Sequence, residues 1–391
     1  MKKSRAAMRN PGIDLLRGVA ILLVILVHLR IRIPVKDSFV VDVLPDWLVT
    51  SFTDRGHEAV YLFFVISGFL ITTHTLLRWG ALHRMDARAF WVRRAARILP
   101  CLVVLIAVLS VLHLLNVQGY TIWREGQSLS GAIVAAIGFH INWYEGRTGY
   151  LPGSWDILWS LAVEEIFYLG FPIACLLIRS RVAMMIVLAL FAASLPVLKA
   201  TTGGSEIWQQ KAYLPGMSAI SSGVLAALIA AKIPISSVTQ LRILYGLGTA
   251  GLLAVMGLTD RIAALEYVLP LLLTASAVCL ILGFHWHEKL GTLRSLPGTA
   301  WLGSMGRLSY EMYLSHMFVV LSVASLVKAA QWDPYWGFVW YVPAILMAWG
   351  LGFLIERYFS MPSMKWLLGE RKAITNDHVS RGEYGGVSRD A

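Results

Sequence analysis

The sequence predicts an all-α polytopic membrane protein of about ten transmembrane helices with both termini inside, and three observations carry that expectation. Of its 391 residues, 57% are hydrophobic and only 15% charged, with a positive mean hydropathy, a balance that no ordinary soluble domain of this size shows. Apolar runs of spanning length recur from residue 12 to residue 356, leaving no room between them for a separate soluble domain. If the N-terminus lies inside, 23 of the 34 lysines and arginines fall on inner segments and ten on outer ones, as the positive-inside rule requires. The formal net charge of +11 therefore serves topology, and nucleic acid is not expected as a partner.

The first run is "GIDLLRGVAILLVILVHLR", residues 12–30. Preceded by "MKKSRAAMRN", it mimics a signal peptide, but Asp14 and Arg17 interrupt it and no small-residue cleavage site follows His28, so it is the first span. Further spans are expected near 57–77, 98–117, 158–178, 182–199, 213–231, 242–258, 262–284, 308–330 and 336–356. The stretch 129–144, "LSGAIVAAIGFHINWY", is apolar but short and polar at its end. Counting it as a span would break the basic asymmetry downstream, so a re-entrant or interfacial helix on the outer side is expected. The chain thus divides into a cytoplasmic N-terminus (1–11), a membrane domain (12–362) and a polar tail (363–391) expected to be disordered and cytoplasmic. Cys101, Cys175 and Cys279 lie inside apolar runs without metal-ligand spacing, so neither a disulfide framework nor a metal site is read. No internal repeat is visible, which disfavours an inverted-repeat transporter.

Polar residues inside the spans are the candidates for function. Arg17 and His28 are eleven residues apart, which at about 100° per residue places them within about 20° on one face and roughly 16 Å apart along the axis. An arginine stays charged and binds phosphate or carboxylate, whereas a histidine exchanges a proton near neutral pH. Snorkelling to the two interfaces, or pairing inside a bundle, is the alternative for each. In "SWDILWSLAVEEIFYLGFP" (154–172), Glu164 shares a face with Ser160, Leu161 and Tyr168, and Glu165 with Leu161 and Leu169, so only one of the two faces any given cavity. A structural pair with an arginine is the competing role. In "GRLSYEMYLSHMFV" (306–319), Tyr313 and His316 are three apart on one face, with Tyr310 a turn earlier; a packed, hydrogen-bonded histidine is an equal alternative. The stretch 78–100 carries six arginines and no lysine, interleaved with Trp79, Phe90 and Trp91. Positive-inside topology accounts for a basic loop, but arginines with aromatics also suit a ligand with phosphates and a flat ring.

These strings resemble the membrane-bound acyltransferase family 3, whose members move acyl groups, usually acetyl, onto hydroxyls of sugars and other acceptors. Its Arg-x10-His signature matches Arg17 and His28, its phenylalanine-rich second helix "LFFVISGFLIT" (62–72), and its arginine-rich loop "RRAARILP" (93–100). "WSLAVE" (159–164), "SYEMYLSH" (309–316) and Glu356–Arg357 match later family elements in order, from residue 12 to about 362. Where relatives often open the second helix with Gly-Val-Asp, this chain has Ala59, Val60 and Tyr61, so a role for that acidic residue does not carry over. The hydrolase-like domain fused to some members is missing from this chain, and a stand-alone version is expected.

The resemblance implies a cytoplasmic acyl-CoA donor, most simply acetyl-CoA, as co-substrate rather than a permanently bound cofactor. It also implies an acceptor often presented on the outer face and a multi-pass location in a bacterial inner or plasma membrane. On that basis Arg93, Arg94 and Arg97 are expected to hold the CoA phosphates, and Arg17 to steady the donor, with Asp14 in support. His28 is expected to act as general base oriented by Glu164, while Tyr310, Tyr313 or His316 donates to the thioester oxyanion. A covalent acyl-His28 relay is the alternative within that chemistry. The competing classes are a transporter or flippase for an anionic or lipid-linked saccharide, using the same polar residues as a pathway, and a non-catalytic scaffold. The acceptor is left between a cell-envelope saccharide and a macrolide-like small molecule. Outer aromatics such as Trp143, Tyr150 and Trp336 suit either sugar stacking or an interfacial belt.

Overall fold

A computed structural model describes residues 10–234, 237–258, 265–291 and 297–369; the tail beyond 369 and residues 1–9 lie outside the described residues. Among these, nine helices are long and apolar enough to cross a membrane, and ten if one bent pair counts as a single span. They correspond one for one to the ten expected runs, and the element order is all helical.

Asn10 opens α1 (Pro11–Arg32): its side-chain oxygen accepts from the Gly12 and Ile13 amides, while its amide donates to Phe284 O and Glu288 Oε2. The helix then sinks Ala20, Ile21, Ile25 and Leu29 fully into the bundle. Next comes α2 (Gly56–Trp79). The third helix, α3 (Ala87–Leu114), starts eleven residues before the expected span because Asp86 caps it, accepting from Ala89 N at 3.0 Å. The arginine-rich stretch is therefore helical, with Arg93, Arg94 and Arg97 on neighbouring turns.

Residues 129–144 do not form one helix. Ser128 caps α4 (Leu129–Ile137), the chain turns at Phe139 with φ of 54°, and α5 runs from Ile141 to Thr148. Nine residues give only about 14 Å, less than half a bilayer core. Then follow α6 (Leu158–Leu177), α7 (Arg181–Ala193) and α8 (Leu195–Thr201). The last two cover the single span expected at 182–199, with a bend of 46° between them, because Pro196 cannot continue the hydrogen-bond ladder. Ser218 of a later helix donates to the loosened Phe191 and Ala192 carbonyls at 2.8 and 3.3 Å, which is how a broken helix keeps its backbone satisfied in lipid.

The chain continues through α9 (Glu206–Lys211), α10 (Tyr213–Lys232), α11 (Val238–Leu258) and α12 (Leu269–Lys289). Pro270 sets the start of α12, seven residues after the expected one, and residues 262–264 of that expectation lie outside the described residues. After α13 (Ala300–Arg307) and α14 (Ser309–Ala329), one rod runs from Pro334 to Leu367. Within it, α15 (Tyr341–Ile355) and α16 (Met361–Leu367) flank a π-helical turn at Glu356–Ser360.

Glycines set two close helix crossings. A Cβ on Gly68 would lie 2.0 Å from Ile220 O and one on Gly223 1.9 Å from Val65 O, locking α2 against α10. Gly18 and Gly306 do the same for α1 and α13. Small residues that let backbones touch are the usual device for joining helices in lipid. The apolar windows of α10 and α2 are 72% and 61% buried, whereas those of α11 and the final rod are 22% buried; the former are central and the latter face lipid.

Candidate active site

Two cavities enter the bundle, one at each end of α1. The Arg17 end holds a cavity of about 870 Å³ lined by Arg17, Arg78, Arg93, Arg94, Arg97 and Arg307 against only two carboxylates, Glu164 and Glu356. Trp79, Phe90, Phe63 and Phe64 supply its aromatic wall. Six guanidinium groups focused in one part-buried cleft make a site for an anion, above all one with several phosphates. The His28 end holds a cavity of about 760 Å³ lined by His28, Arg32, His57, Tyr150, Asp156, Trp159, Lys199 and Lys211 among others. Both volumes fall within the range of about 300–1,000 Å³ typical of small-molecule sites.

Tyr313 and Val60 line both cavities. The Tyr313 hydroxyl donates to Ile157 O at 3.0 Å and accepts from Ser160 Oγ at 2.8 Å. Its ring is held between Phe63, edge-on at 6.3 Å, and His316 at 5.8 Å. Tyr313 is thus the partition at which the two cavities meet.

Behind it sits a histidine pair. The rings of His28 and His316 approach to 5.1 Å between centroids, tilted by 45°. His316 is fully buried. Its Nδ1 lies 2.7 Å from Tyr313 O; a carbonyl only accepts, so Nδ1 carries the proton and Nε2 holds a lone pair. Nε2 is buried with no partner. His28, which opens onto the cavity, makes no hydrogen bond among the described residues.

The arginines differ in their commitments. Arg97 is ion-paired with the buried Glu311 at 2.9 Å and donates to Ser360 Oγ at 3.0 Å. Ser360 in turn donates to Glu311 at 2.7 Å, tying α3, α14 and the π turn together. Arg94 stacks on the Tyr168 ring at 3.9 Å and has its Nε buried without a partner. An orphaned guanidinium N–H in an arginine-lined cleft fits a phosphate or another anionic acceptor. Arg93 is exposed at the cavity edge.

The expected residues therefore divide into two groups. Arg17, Arg93, Arg94, Arg97, Glu164 and Tyr310 line the cavity at the Arg17 end, His28 lines the other, and Tyr313 lines both. Glu164 accepts from Tyr168 OH at 3.0 Å and shares its cavity with Arg17, not with His28. No hydrogen bond joins Glu164 to His28, because the His28 end is lined instead by Trp159 at the start of α6 and by Asp156 in the short helical turn just before it. The Tyr310 hydroxyl donates to Ile98 O at 2.9 Å, and that of Tyr313 is likewise engaged, so neither has a proton to offer an oxyanion as placed. Asp14 lies in the first turn of α1, where its backbone carbonyl meets Gly306. Glu165 is buried with Oε1 unpartnered and lines neither cavity. Glu311, Ser360, Ser67 and the His57–Trp159 stack at 5.2 Å also belong to the site; Glu311, a carboxylate inside a span, carries the same signal as Glu164, whereas nothing local marks the other residues.

With this geometry in place, comparison with known proteins is informative. A family profile described as an acyltransferase domain matches residues 10–364. Relatives include the peptidoglycan O-acetyltransferase OatA of Listeria monocytogenes, 29% identical over 55% of this chain and 31% of its own length. A putative O-acetyltransferase of Staphylococcus aureus strain COL is 33% identical over 42% of this chain and 24% of its own. The O-acetyltransferase OatA of Staphylococcus aureus strain NCTC 8325 is 30% identical over 44% and 25%. The matched segments thus span about a quarter to a third of these relatives. No solved structure matches.

Proposed function

The chain belongs to the membrane-bound acyltransferase 3 family, and from that premise we propose that it moves an acyl group, acetyl in the simplest case, from acyl-CoA to a hydroxyl of a saccharide or similar acceptor. The observation that carries this reading is the meeting of two cavities at Tyr313 beside the His28–His316 pair. A thioester entering from the arginine cavity and a hydroxyl entering from the other would converge there. The basic asymmetry of the chain supports placing the arginine cavity on the cytoplasmic side, in a bacterial plasma membrane.

Arg93, Arg94 and Arg17 hold the donor phosphates by charge-assisted hydrogen bonds, with Trp79 or Phe90 against the flat ring. Glu164, through Tyr168, positions Arg94 rather than His28. Arg97 is a positioning residue, its charge already matched by Glu311. At the partition His28 takes the acceptor proton as the oxygen attacks the thioester carbon; the C–O bond forms, the C–S bond breaks, and the thiolate leaves with the proton His28 received. His316 packs against His28 to fix its ring, and its free Nε2 is a second resting place for that proton.

The test is acceptor-dependent release of free CoA from acetyl-CoA by purified protein, wild type and His28→Ala, with saccharide and macrolide acceptors. The reading expects release only with an acceptor and a loss of orders of magnitude in His28→Ala with acetyl-CoA binding retained. Saccharide binding without any CoA release in either protein would favour a transporter.

A further inference from the structure

The cavity at the His28 end carries as many carboxylates as cations once their partners are counted, but the charges are not evenly paired. Of its carboxylates, Asp54 is ion-paired with Arg30, Glu58 with Arg55 at 3.6 Å, and Asp156 with Lys211. Glu266 is exposed, where solvent screens it. Lys211 is fully spent, since it also holds Glu145 at 2.8 Å. Arg32 and Lys199 are different. Both line the cavity and are partly buried, yet neither makes a hydrogen bond or an ion pair among the described residues.

Arg32 is no ordinary last-turn arginine turned to water. Its neighbour Arg30 shows the satisfied alternative, donating to Thr53 Oγ1 at 3.2 Å and pairing with Asp54. Arg32 instead turns its Nη2 over Gly153, where a Cβ would come within 2.9 Å of that nitrogen and of Met317 Cε. A glycine makes the room, and no carboxylate reaches the guanidinium directly: Asp156 acts on it only from beyond ion-pair distance and is itself bonded to Lys211. A partly buried guanidinium left open in this way favours an oxyanion from outside the chain.

We infer that the cavity takes an acceptor bearing an acidic group, a carboxylate or a phosphate, bound by Arg32 with help from Lys199 while the hydroxyl to be acylated sits at His28. Only that last clause rests on the transferase reading. Arg32 stands one turn beyond His28 on α1, so the acidic group lies about 6 Å along the axis from the reacting hydroxyl. The acceptor is an acidic saccharide or a similarly charged molecule, and a neutral glycan lacks the group that Arg32 awaits.

The test is calorimetric binding of three matched probes, N-acetylglucosamine, N-acetylmuramic acid and N-acetylglucosamine 1-phosphate, to the full chain in phosphatidylcholine nanodiscs. One or both acidic probes bind at least about tenfold more tightly than the neutral one, the difference made by a charge-assisted contact. Arg32→Gln abolishes that preference, Arg32→Lys keeps part of it, Lys199→Gln weakens it, and Gly153→Ala, which displaces the guanidinium, lowers it. Equal affinity for the three probes, or a preference that survives Arg32→Gln in a folded protein, overturns the inference. Acidic-probe binding that vanishes when phosphatidylglycerol replaces a third of the lipid assigns the site to a lipid headgroup and overturns the acceptor assignment. CoA release run in parallel separates the two readings. Turnover of neutral acceptors at the acidic rate sinks the acidic site alone, whereas Arg32-dependent binding without CoA release sinks the transferase alone.

Discussion

His316 lies against His28 with ring centroids 5.1 Å apart, its Nδ1 fixed by the Tyr313 carbonyl and its Nε2 buried without a partner. A buried nitrogen left open beside a second imidazole gains nothing for stability. On the proposed reading its use is in handling a proton.

Both rings are therefore expected to matter for turnover. His28→Ala and His316→Ala should each slow acceptor-dependent CoA release by about 10²–10⁴-fold, the usual range for removing a general base. The double variant should be little worse than the worse single one, because residues that act as a unit are not additive. Wild-type rates in His316→Ala would reduce it to packing.

The arginines should separate by measurement into donor-binding and structural. Arg97→Gln leaves Glu311 buried and unpaired, and should cost about 3 kcal/mol of stability; Glu311→Gln in the same chain should recover most of it. Thermal unfolding in detergent reads both. Arg93→Gln, at an exposed position where a charge contact contributes at most about 1 kcal/mol, should change unfolding far less than Arg97→Gln and raise KM for acetyl-CoA roughly fivefold through one lost charge-assisted contact. A KM effect confined to Arg97→Gln would reverse the assignment.

Much of this arrangement was legible in advance, for reasons that particular residues make plain. Helical geometry put Arg17 and His28 on one face of α1 at opposite ends, and each opens onto a different cavity. The same arithmetic put Glu164 with Ser160 and Tyr168. What helical spacing cannot reveal is which neighbour a side chain meets. The partners of Arg97 come from α14 and the π turn, far along the chain, and Glu164 meets the arginines rather than His28. Two local signals were available but outweighed by composition. Asp86 marks the early start of α3, and Pro196 marks the break between α7 and α8.

The Lys211 cluster holds together the end of the bundle that carries His28. Lys211 Nζ bonds both Glu145 and Asp156, while Glu145 also accepts from Leu151 N at 2.9 Å. Lys211→Met should strand the fully buried Glu145 and cost about 3–5 kcal/mol, enough to lower the yield of folded protein in size-exclusion chromatography. Lys211→Met combined with Glu145→Leu and Asp156→Asn removes the stranded charges and should restore much of the yield. Unchanged folding in Lys211→Met would show that water reaches the cluster.

Tyr313 should decide which acyl groups cross between the cavities. Its ring is fixed between Phe63 and His316, and its hydroxyl is anchored to Ile157 O and Ser160, so it cannot swing aside without breaking two hydrogen bonds. A two-carbon acyl group needs the least clearance at such a partition, and each added methylene that gains a cavity is favoured by about 0.8 kcal/mol once room exists. In Tyr313→Ala the ratio of kcat/KM for butyryl-CoA to that for acetyl-CoA should rise about tenfold, since two methylenes together supply slightly more than the 1.4 kcal/mol that a tenfold change requires. Tyr313→Phe keeps the ring and loses only the hydroxyl contacts, so it should lose about 1 kcal/mol of stability while leaving the ratio unchanged. CoA release with acetyl-, propionyl- and butyryl-CoA measures all three proteins. A ratio that stays at the wild-type value in Tyr313→Ala would place the acyl filter elsewhere, on the arginine side of the partition where Phe63 and Phe64 line the approach.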